Sequence, residues 1–282
     1  MITTVTACWQ REEVLRRWVQ AVKGASRPGV KHLVYLVGEP LPAWWAMEVP
    51  PSMTGIVRPE SPGHSIGYYH NLGAQTAATP WIMKLDVDAF PHVDYFEALL
   101  PNLAQARPQQ WFNGGMFYLS KFYSSCILSP GCLPLSWQNY LLVMENRRTY
   151  SALPYLLPAA TNFICRRQDY INLGGCDSRF RGYGWEDYQQ IYILERTQRG
   201  QDPLAGPLDL SNVTRRCRDE ISRPKARELW EQNPRLCLFH SWHPPSADPS
   251  YRASSVANRQ VLLSYITACK KGVLPPILTQ ER

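Results

Sequence analysis

The fold is decided by the stretch Trp81-Ile82-Met83-Lys84-Leu85-Asp86-Val87-Asp88. Its apolar run predicts a buried strand, and because side chains alternate along a strand, Asp86 and Asp88 are expected on the same side. Two such carboxylates repel each other and resist desolvation, and a divalent cation between them and an anionic ligand relieves both effects. The stretch therefore predicts a site that holds a metal ion on a diphosphate. A solvated turn after the strand is the alternative.

Strand and helix patterns alternate through the first hundred residues. Strands are predicted at 2–6, 32–37, 54–57 and 81–85, and helices at 11–22, 66–78 and 94–103. This order favours an α/β fold with a mostly parallel sheet flanked by helices. Ligands of such sheets bind outside the carboxyl ends of the strands, which is where Asp86 and Asp88 lie.

The second half of the chain has weaker patterns. Residues 111–157 are irregular and rich in aromatic side chains, for which core or lid packing is favoured over an acceptor platform. Strands are predicted at 162–166 and 236–239, and helices at 186–199 and 251–271. The adjacent Trp44 and Trp45 stand in a proline-rich loop, where contact with an acceptor or a membrane is one interpretation.

Composition narrows the class of protein. The 282 residues suffice for a large core, and no run approaches the roughly 18 apolar residues of a membrane span. The first nine residues lack a basic region and read as a strand, and the eight cysteines form no C-x-x-C pair. Reduced thiols in a cytoplasmic protein are therefore expected. The net charge of +7 favours phosphate-bearing substrates and peripheral contact with anionic lipid, with a merely basic surface as the alternative. No nucleic-acid motif is present.

Two further segments carry chemistry. A glycine-rich stretch from Asn172 leads to Glu186 and Asp187, which open a predicted helix. One carboxylate there could cap the helix, but two exceed what a cap requires, and a carboxylate beside a sugar hydroxyl can act as a general base. His240 and His243 follow a short strand and could supply an imidazole to a metal ion.

Taken in order, four segments resemble the GT-A fold glycosyltransferases. The resemblance covers roughly residues 2–245 and is greatest to bacterial family-2-like enzymes and to the β-1,4-galactosyltransferase and chondroitin-polymerase group. The segments are Thr6 to Leu15, His70-Asn71-Leu72-Gly73-Ala74 with 85–88, Gly174 to Asp187, and His240 to His243. The resemblance implies a single Rossmann-like GT-A domain over 1–245, with a nucleotide-binding half at 1–88, an acceptor half at 89–245 and a C-terminal helical extension at 246–282.

The resemblance also implies a role for individual residues. Asp88 would ligate Mn²⁺ or Mg²⁺, and His240 or His243 would complete the metal shell. Asp187 would deprotonate the acceptor hydroxyl, and Asp86 would touch the ribose or a metal-bound water. The other implied nucleotide-sugar contacts are Thr6, Arg11, Asn71 and Val87, and the other implied substrate contacts are Gly175, Gly184, Trp185 and Glu186.

The function predicted from the sequence is metal-dependent, inverting transfer of a hexose such as Gal or GalNAc from a UDP-sugar. The expected acceptor is a glycan or lipid-linked glycan in bacterial surface polysaccharide synthesis, at the inner face of the membrane. Three rivals remain: a sugar nucleotidyltransferase, a noncatalytic sugar-binding relative and a peptide or protein glycosyltransferase. The first would need a glycine-rich loop after the first strand, and residues 7–13 contain no glycine.

Overall fold

The computed structural model describes residues 1–9, 11–59, 65–121, 124–125, 156–182, 184–204, 206–243 and 249–273. The part of the aromatic segment that lies at 122–123 and 126–155 is outside these ranges, as is Tyr183. Within the described ranges no helix combines the length and apolarity that a membrane crossing requires. The six cysteines in these ranges are buried free thiols, as expected from the sequence.

Strands and helices alternate in the first half. The elements are β1 (Ile2–Cys8), α1 (Glu12–Ala25), β2 (Val30–Val37), α2 (Trp45–Glu48), β3 (Met53–Arg58), α3 (Ile66–Thr76) and β4 (Trp81–Lys84). The second half is more mixed. Its elements are β5 (Ala89–Pro91), α4 (Tyr95–Gln105), β6 (Phe112–Tyr118), β7 (Leu156–Arg166), α5 (Arg167–Asn172), α6 (Glu186–Arg199), α7 (Leu210–Arg215), a π-helical segment (Arg216–Ser222), α8 (Arg223–Gln232), β8 (Cys237–His240) and α9 (Pro249–Lys270).

The described strands form one sheet in the order β3-β2-β1-β4-β7-β6-β8-β5. β1 to β4 are mutually parallel, as the sequence predicts. Beyond β4 the sheet is mixed, since β7 is antiparallel to both β4 and β6, β8 is parallel to β6, and β5 is antiparallel to β8. The α/β prediction is confirmed, and the antiparallel part is the addition that the sequence did not indicate.

The α1 helix shows how the sequence fixes the edge of the sheet. Leu15, Trp18, Val19 and Val22 recur at helical spacing and are all buried, so the helix presents one apolar face to the sheet. Trp18 is fully buried, and its indole N–H donates to the carbonyl of Ala89 at 3.1 Å. The helix therefore holds the short strand β5 in place.

Hydrogen bonds with β1 fix the backbone immediately after β4. The Leu85 N–H donates to the Val5 carbonyl at 3.1 Å, and the Thr6 hydroxyl donates to the Leu85 carbonyl at 2.6 Å. Trp81, Met83, Leu85 and Val87 belong to one core cluster, while Ile82 belongs to the cluster on the other side of the sheet. Because side chains alternate along this buried strand, Lys84 lies on the same side as Ile82.

Several elements differ from the sequence-based expectation. Strand β6 runs through the segment predicted to be irregular, and the helices at 210–232 had no prediction. Trp44 and Trp45 are each 8% exposed and belong to a core cluster, so packing accounts for both rings. The two rings therefore offer little exposed surface for contact with an acceptor or a membrane.

The C-terminal helix α9 is integrated into the core. Leu262, Tyr265, Ile266 and Cys269 are buried with Ile191, Tyr192 and their neighbours in the second core cluster. The predicted helix at 251–271, closed by Gly272 in a left-handed conformation, matches α9 closely. The segment expected as an extension therefore contributes apolar surface to the same core.

Close packing of α3 against β1 gives a stability prediction. A Cβ added at Gly73 would lie 2.2 Å from Cγ1 of Val5, whereas one added at Gly24 in α1 would meet nothing within 4 Å. Gly73→Ala should lower the free energy of unfolding by about 1–3 kcal/mol through overpacking. Gly24→Ala, the control, should raise it by up to about 1 kcal/mol through helix propensity. Urea unfolding measures both, and equal effects of the two substitutions would contradict the packing.

Candidate metal and acceptor site

Three predicted metal ligands meet at one end of the sheet. Asp88, His240 and His243 offer ligand atoms that all lie within 4.8 Å of one another. His243 Nε2 lies 3.0 Å from Asp88 Oδ2, and His240 Nε2 lies 3.5 Å from Asp88 Oδ1. The Arg11 guanidinium also contacts Asp88 Oδ2, at 2.6 Å. Both histidines named by the sequence therefore reach the same carboxylate.

Strand pairing brings these distant residues together. Ala89 pairs with His240 across the antiparallel strands β5 and β8, and the Ser241 N–H donates to the Asp88 carbonyl at 2.9 Å. His240 is further positioned by Tyr118, whose ring stacks on the imidazole with centroids 4.5 Å apart. Backbone and ring contacts thus position Asp88 and His240 next to each other.

The electrostatics favour an ionised Asp88. Burial would raise the pKa of the Asp88 carboxyl, but the hydrogen bond with His243, the charge that His240 carries at acidic pH and the charge of Arg11 lower it below its usual range. For His240, burial lowers the pKa, and this outweighs the attraction of Asp88. A carboxylate beside a neutral imidazole is the protonation state that binds a metal.

This donor set fits a divalent cation, and its ligand types distinguish between Mg²⁺ and Mn²⁺. One carboxylate and two imidazoles within 4.8 Å match the span of a single coordination sphere. Mg²⁺ prefers a shell of oxygen ligands, whereas Mn²⁺ accepts carboxylate and imidazole together. Between the two ions named by the resemblance, the residues therefore fit Mn²⁺ better.

A second charged cluster lies beside the first. Lys84, at the end of β4, makes an ion pair with Asp187 in the first turn of α6. The side chain of Lys84 is 3% exposed and that of Asp187 is 15% exposed. Burial would lower the pKa of Lys84, but the charges of Asp187 and Asp86, together with that of Glu186 at the alkaline pH where it is ionised, raise it above its usual range. The ammonium group is therefore retained in the interior.

Glu186 belongs to the same cluster but differs from Asp187 in its protonation state. Burial, and secondarily the charge of Asp187, raise the pKa of the Glu186 carboxyl from 4.5 to about 8. Its Oε2 atom has no hydrogen-bond partner among the described residues. The carboxyl group therefore carries a proton at neutral pH, and one of its oxygens is unengaged.

The glycine-rich loop that precedes α6 is held by α9. Asn258 donates from its amide to the carbonyls of Arg181 and Gly184, and Trp185 donates from its indole to Ser255. Gly184 and Trp185 both adopt left-handed backbone conformations, with φ of 94° and 80°. A bulky residue at positive φ is strained, so these contacts stabilise an unusual approach to the helix.

Asn71 anchors the other end of this loop. Its side-chain oxygen accepts from the Tyr170 hydroxyl and the Cys176 N–H, and its amide donates to the Cys176 carbonyl, each at 2.8 Å. Gly175 in the same loop has φ of 66°, and its carbonyl accepts from Gln190 at 2.7 Å. The structure thus uses Asn71 and Gly175 to shape the loop, and their contact with a nucleotide sugar or substrate stays a prediction.

The remaining predicted nucleotide contacts lie around the turn after β4. The Thr6 side chain is fully buried against the Leu85 carbonyl, and the Val87 side chain is buried in the core. The Asp86 N–H donates to Asn162 Oδ1 at 3.3 Å, and the charge of its carboxylate helps to raise the pKa of Lys84 and that of Glu186. Contact of these residues and Arg11 with a nucleotide stays a prediction.

The expectation that Asp86 and Asp88 share one side is wrong. It requires the strand to continue past Lys84, but β4 ends there and the Ala89 N–H donates to the Asp86 carbonyl in a turn. The Asp86 charge acts on the Lys84 cluster, whereas Asp88 meets the histidines. The turn therefore divides the two carboxylates between two clusters.

Four polar residues of this region had no predicted role in the site: Lys84, Asn162, Ser255 and Asn258. The pattern signals only the first, since a lysine in an otherwise apolar four-residue strand requires a buried counter-charge. The others make contacts across the fold with partners that are 70 or more positions away in the chain, which local sequence does not reveal.

One family model matches the middle of the chain. Residues 57–204, just over half of the chain, match the model of the family described as glycosyltransferase like family 2. The matched region contains both aspartates of the β4 turn and the start of α6, while Arg11 and the two histidines lie outside it. No curated protein sequence matches the chain.

Several solved structures are similar to this chain at low sequence identity. A mycobacterial protein is 12% identical with a TM-score of 0.50, over 98% of this chain and 76% of the other. Glucosyl-3-phosphoglycerate synthase from Mycobacterium tuberculosis, in complex with Mn²⁺, uridine diphosphate and phosphoglyceric acid, is 12% identical (TM-score 0.46; 98% and 80% covered). The catalytic domain of Drosophila β1,4-galactosyltransferase 7 with xylobiose is 16% identical, with a TM-score of 0.35. That comparison covers 71% of this chain and 62% of the Drosophila domain, which is less than two thirds of its length.

The ligand triad predicts selective metal binding. Saturating Mn²⁺ should stabilise the folded protein, by about 2.7 kcal/mol at a concentration of 100 Kd. Asp88→Ala, His240→Ala and His243→Ala should each reduce that stabilisation, and Mg²⁺ should stabilise less than Mn²⁺ at equal concentration. Thermal unfolding with Mn²⁺, Mg²⁺ and Zn²⁺ measures this. Equal stabilisation of the wild type and all three variants would place the ion elsewhere.

The raised pKa of Glu186 predicts a pH-dependent stability. The folded state keeps this proton up to about pH 8, whereas the unfolded carboxyl loses it near 4.5, so the stability contribution falls as pH rises between these values. Glu186→Gln should remove a slope that approaches 1.4 kcal/mol per pH unit at its steepest, to order of magnitude. Urea unfolding from pH 5 to 9 tests this, with the exposed Glu228→Gln as control. A slope unchanged in Glu186→Gln would refute the assignment.

Proposed function

The chain belongs to the family described as glycosyltransferase like family 2, and is therefore a glycosyltransferase, and we propose that it transfers a hexose from a UDP-sugar to an acceptor hydroxyl with inversion. The observation that carries this proposal is the convergence of two charged clusters on the turn after β4. Asp88 faces the two histidines, and Asp86 in the same turn acts on Lys84 and Glu186.

The proposed donor site lies at the triad. Asp88, His240 and His243 would hold Mn²⁺, which when bound would supply Lewis-acid stabilisation of the leaving diphosphate. Arg11 stands beside this site on Asp88, with its side chain about one third exposed. The guanidinium can therefore turn to a phosphate oxygen, which is the ligand that its fork of donors suits.

The proposed reaction uses Asp187 as the base. The acceptor oxygen forms a bond to the anomeric carbon while the bond from that carbon to the diphosphate oxygen breaks, and the bonding pair leaves with the diphosphate. Asp187 accepts the hydroxyl proton and later releases it to water. Attack from the face opposite the leaving group inverts the anomeric carbon. Asp187 suits this role because it is partly exposed and opens α6, where the helix dipole favours a negative charge.

The acceptor and the setting are further parts of the proposal. Galactose, GalNAc or a related hexose is the proposed donor sugar, and a glycan or lipid-linked glycan of a bacterial surface polysaccharide is the proposed acceptor. The net charge of +7 supports a phosphate-bearing substrate and peripheral contact with an anionic inner membrane face. A peptide acceptor is the alternative, and product mass spectrometry separates the two.

The proposed division of labour predicts two different losses of activity. Asp187→Asn should lower kcat by about 10²–10⁴ while Mn²⁺ binding remains, because the base is lost and the triad is intact. Asp88→Ala should lose both activity and Mn²⁺ binding. UDP release over a panel of UDP-sugars, with and without Mn²⁺, measures the effect.

The control for both variants is Asp219→Asn, which removes a surface carboxylate paired with Arg218 and Arg223. It should retain wild-type turnover. Unchanged activity of Asp88→Ala and Asp187→Asn would refute the mechanism, and acceptor binding without turnover of any donor by the wild type would support a noncatalytic sugar-binding protein.

A further inference from the structure

Lys84 is a buried cation in the interior of the sheet. It is the last residue of β4, its side chain is 3% exposed, and the other three residues of the strand are apolar. A lysine is almost never buried in a protein unless it is paired. Its partner is Asp187, which lies 103 residues further along the chain. The ion pair therefore joins the centre of the sheet to the first turn of α6.

Groups from four elements face this ammonium group. They are Asp187 and Glu186 from α6, Asp86 from the turn after β4, His70 from α3 and Cys176 from the loop after α5. Burial and the charge of Lys84 lower the pKa of His70 well below its ordinary value, and burial raises the pKa of the Cys176 thiol well above its own. Both are therefore neutral, and Lys84 is the cation among these described groups.

The one buried cation is paired with one carboxylate, that of the partly exposed Asp187. A second ionised carboxylate in the same interior would carry a large desolvation cost with no partner. Geometry selects which carboxyl group receives the charge, because Lys84 contacts Asp187 whereas Oε2 of Glu186 has no partner among the described residues. Adjacent acids in α6 are thus placed in opposite protonation states.

We infer that Lys84 is the positioning residue of the acceptor site, which holds Asp187 as the carboxylate that takes the acceptor proton and leaves Glu186 as its protonated neighbour. The inference rests on the proposed function for the role of Asp187. Protonated Glu186 presents an O–H group that can donate to a neighbouring hydroxyl of the sugar acceptor. Lys84 itself contacts neither the UDP-sugar nor the acceptor. It acts through the orientation and charge of Asp187.

Kinetics against pH test the inference. With the UDP-sugar that gives the fastest UDP release, Lys84→Met should lower kcat at least tenfold at pH 7, with the donor KM within about twofold of wild type. The acid limb of its kcat profile should move to higher pH by one unit or more, because Asp187 loses its cation and keeps Glu186 beside it. Lys84→Arg retains the charge and should restore the position of the limb.

A matched control comes from the other end of the same helix. Lys225 is a partly buried lysine whose ammonium lies 3.4 Å from Glu195 of α6, remote in sequence from the acceptor loop. Lys225→Met removes an ion pair to α6 in the same way and should leave the pH profile of kcat unchanged. An acid limb that stays at the wild-type pH in Lys84→Met, or that moves equally in Lys225→Met, would overturn the inference.

A stability cycle tests the pairing without any activity. Urea unfolding of Lys84→Met, Asp187→Asn and the double variant at pH 7 should show the double variant less destabilised than the sum of the single ones. Additive effects would overturn the pairing even in an active enzyme. If the wild type turns over none of the donors while the cycle shows coupling, the proposed function fails and the pairing stands.

Discussion

The pairing of β5 with β8 is the constraint on which the site depends. It is short, yet it sets Ala89 opposite His240 and lets the Ser241 N–H reach the Asp88 carbonyl. Because a slip of one residue would turn every side chain of the strand to the other face, this register decides whether Asp88 meets the histidines. Trp18 holds the register from outside the sheet by donating to the Ala89 carbonyl. A core tryptophan and a three-residue strand thus join Asp88 and His240, which lie 152 positions apart in the chain.

Charge is then distributed across a single turn. On one side the charge of Asp88 is balanced by Arg11 and the carboxylate faces the two imidazoles, and on the other side Lys84 is balanced by Asp187. Both arrangements follow the rule that buried charges require partners. In a glycosyltransferase, the two steps that need charge control are departure of the diphosphate and deprotonation of the acceptor. The turn after β4 separates the groups proposed for these two steps, and both groups remain at the same end of the strands.

The sequence predicted the features that depend on residues close together in the chain. The parallel strands β1 to β4 follow from apolar runs separated by helical periodicity, and α6 matches the helix predicted at 186–199. Both histidines and Asp187 were named because their residue types match a chemistry. Strand β6 was missed because Asn113, Gly114 and Gly115 interrupt its apolar pattern, and the pairing with β7 shifts register there.

Contacts over long sequence distances account for the rest. The partner of Lys84, the hold of Asn258 on the glycine-rich loop and the anchoring of that loop by Asn71 all depend on tertiary packing. The turn at Asp86 was missed because periodicity does not mark where a short strand stops.

The central claim is that Asp88, His240 and His243 hold the cation that meets the donor diphosphate. Pulsed electron paramagnetic resonance of Mn²⁺ bound to the protein, with UDP added, tests it most directly. The account predicts ¹⁴N couplings from two imidazoles together with ³¹P coupling from the nucleotide, and loss of one imidazole in His243→Ala. A ³¹P coupling without any ¹⁴N coupling in the wild-type protein would contradict it.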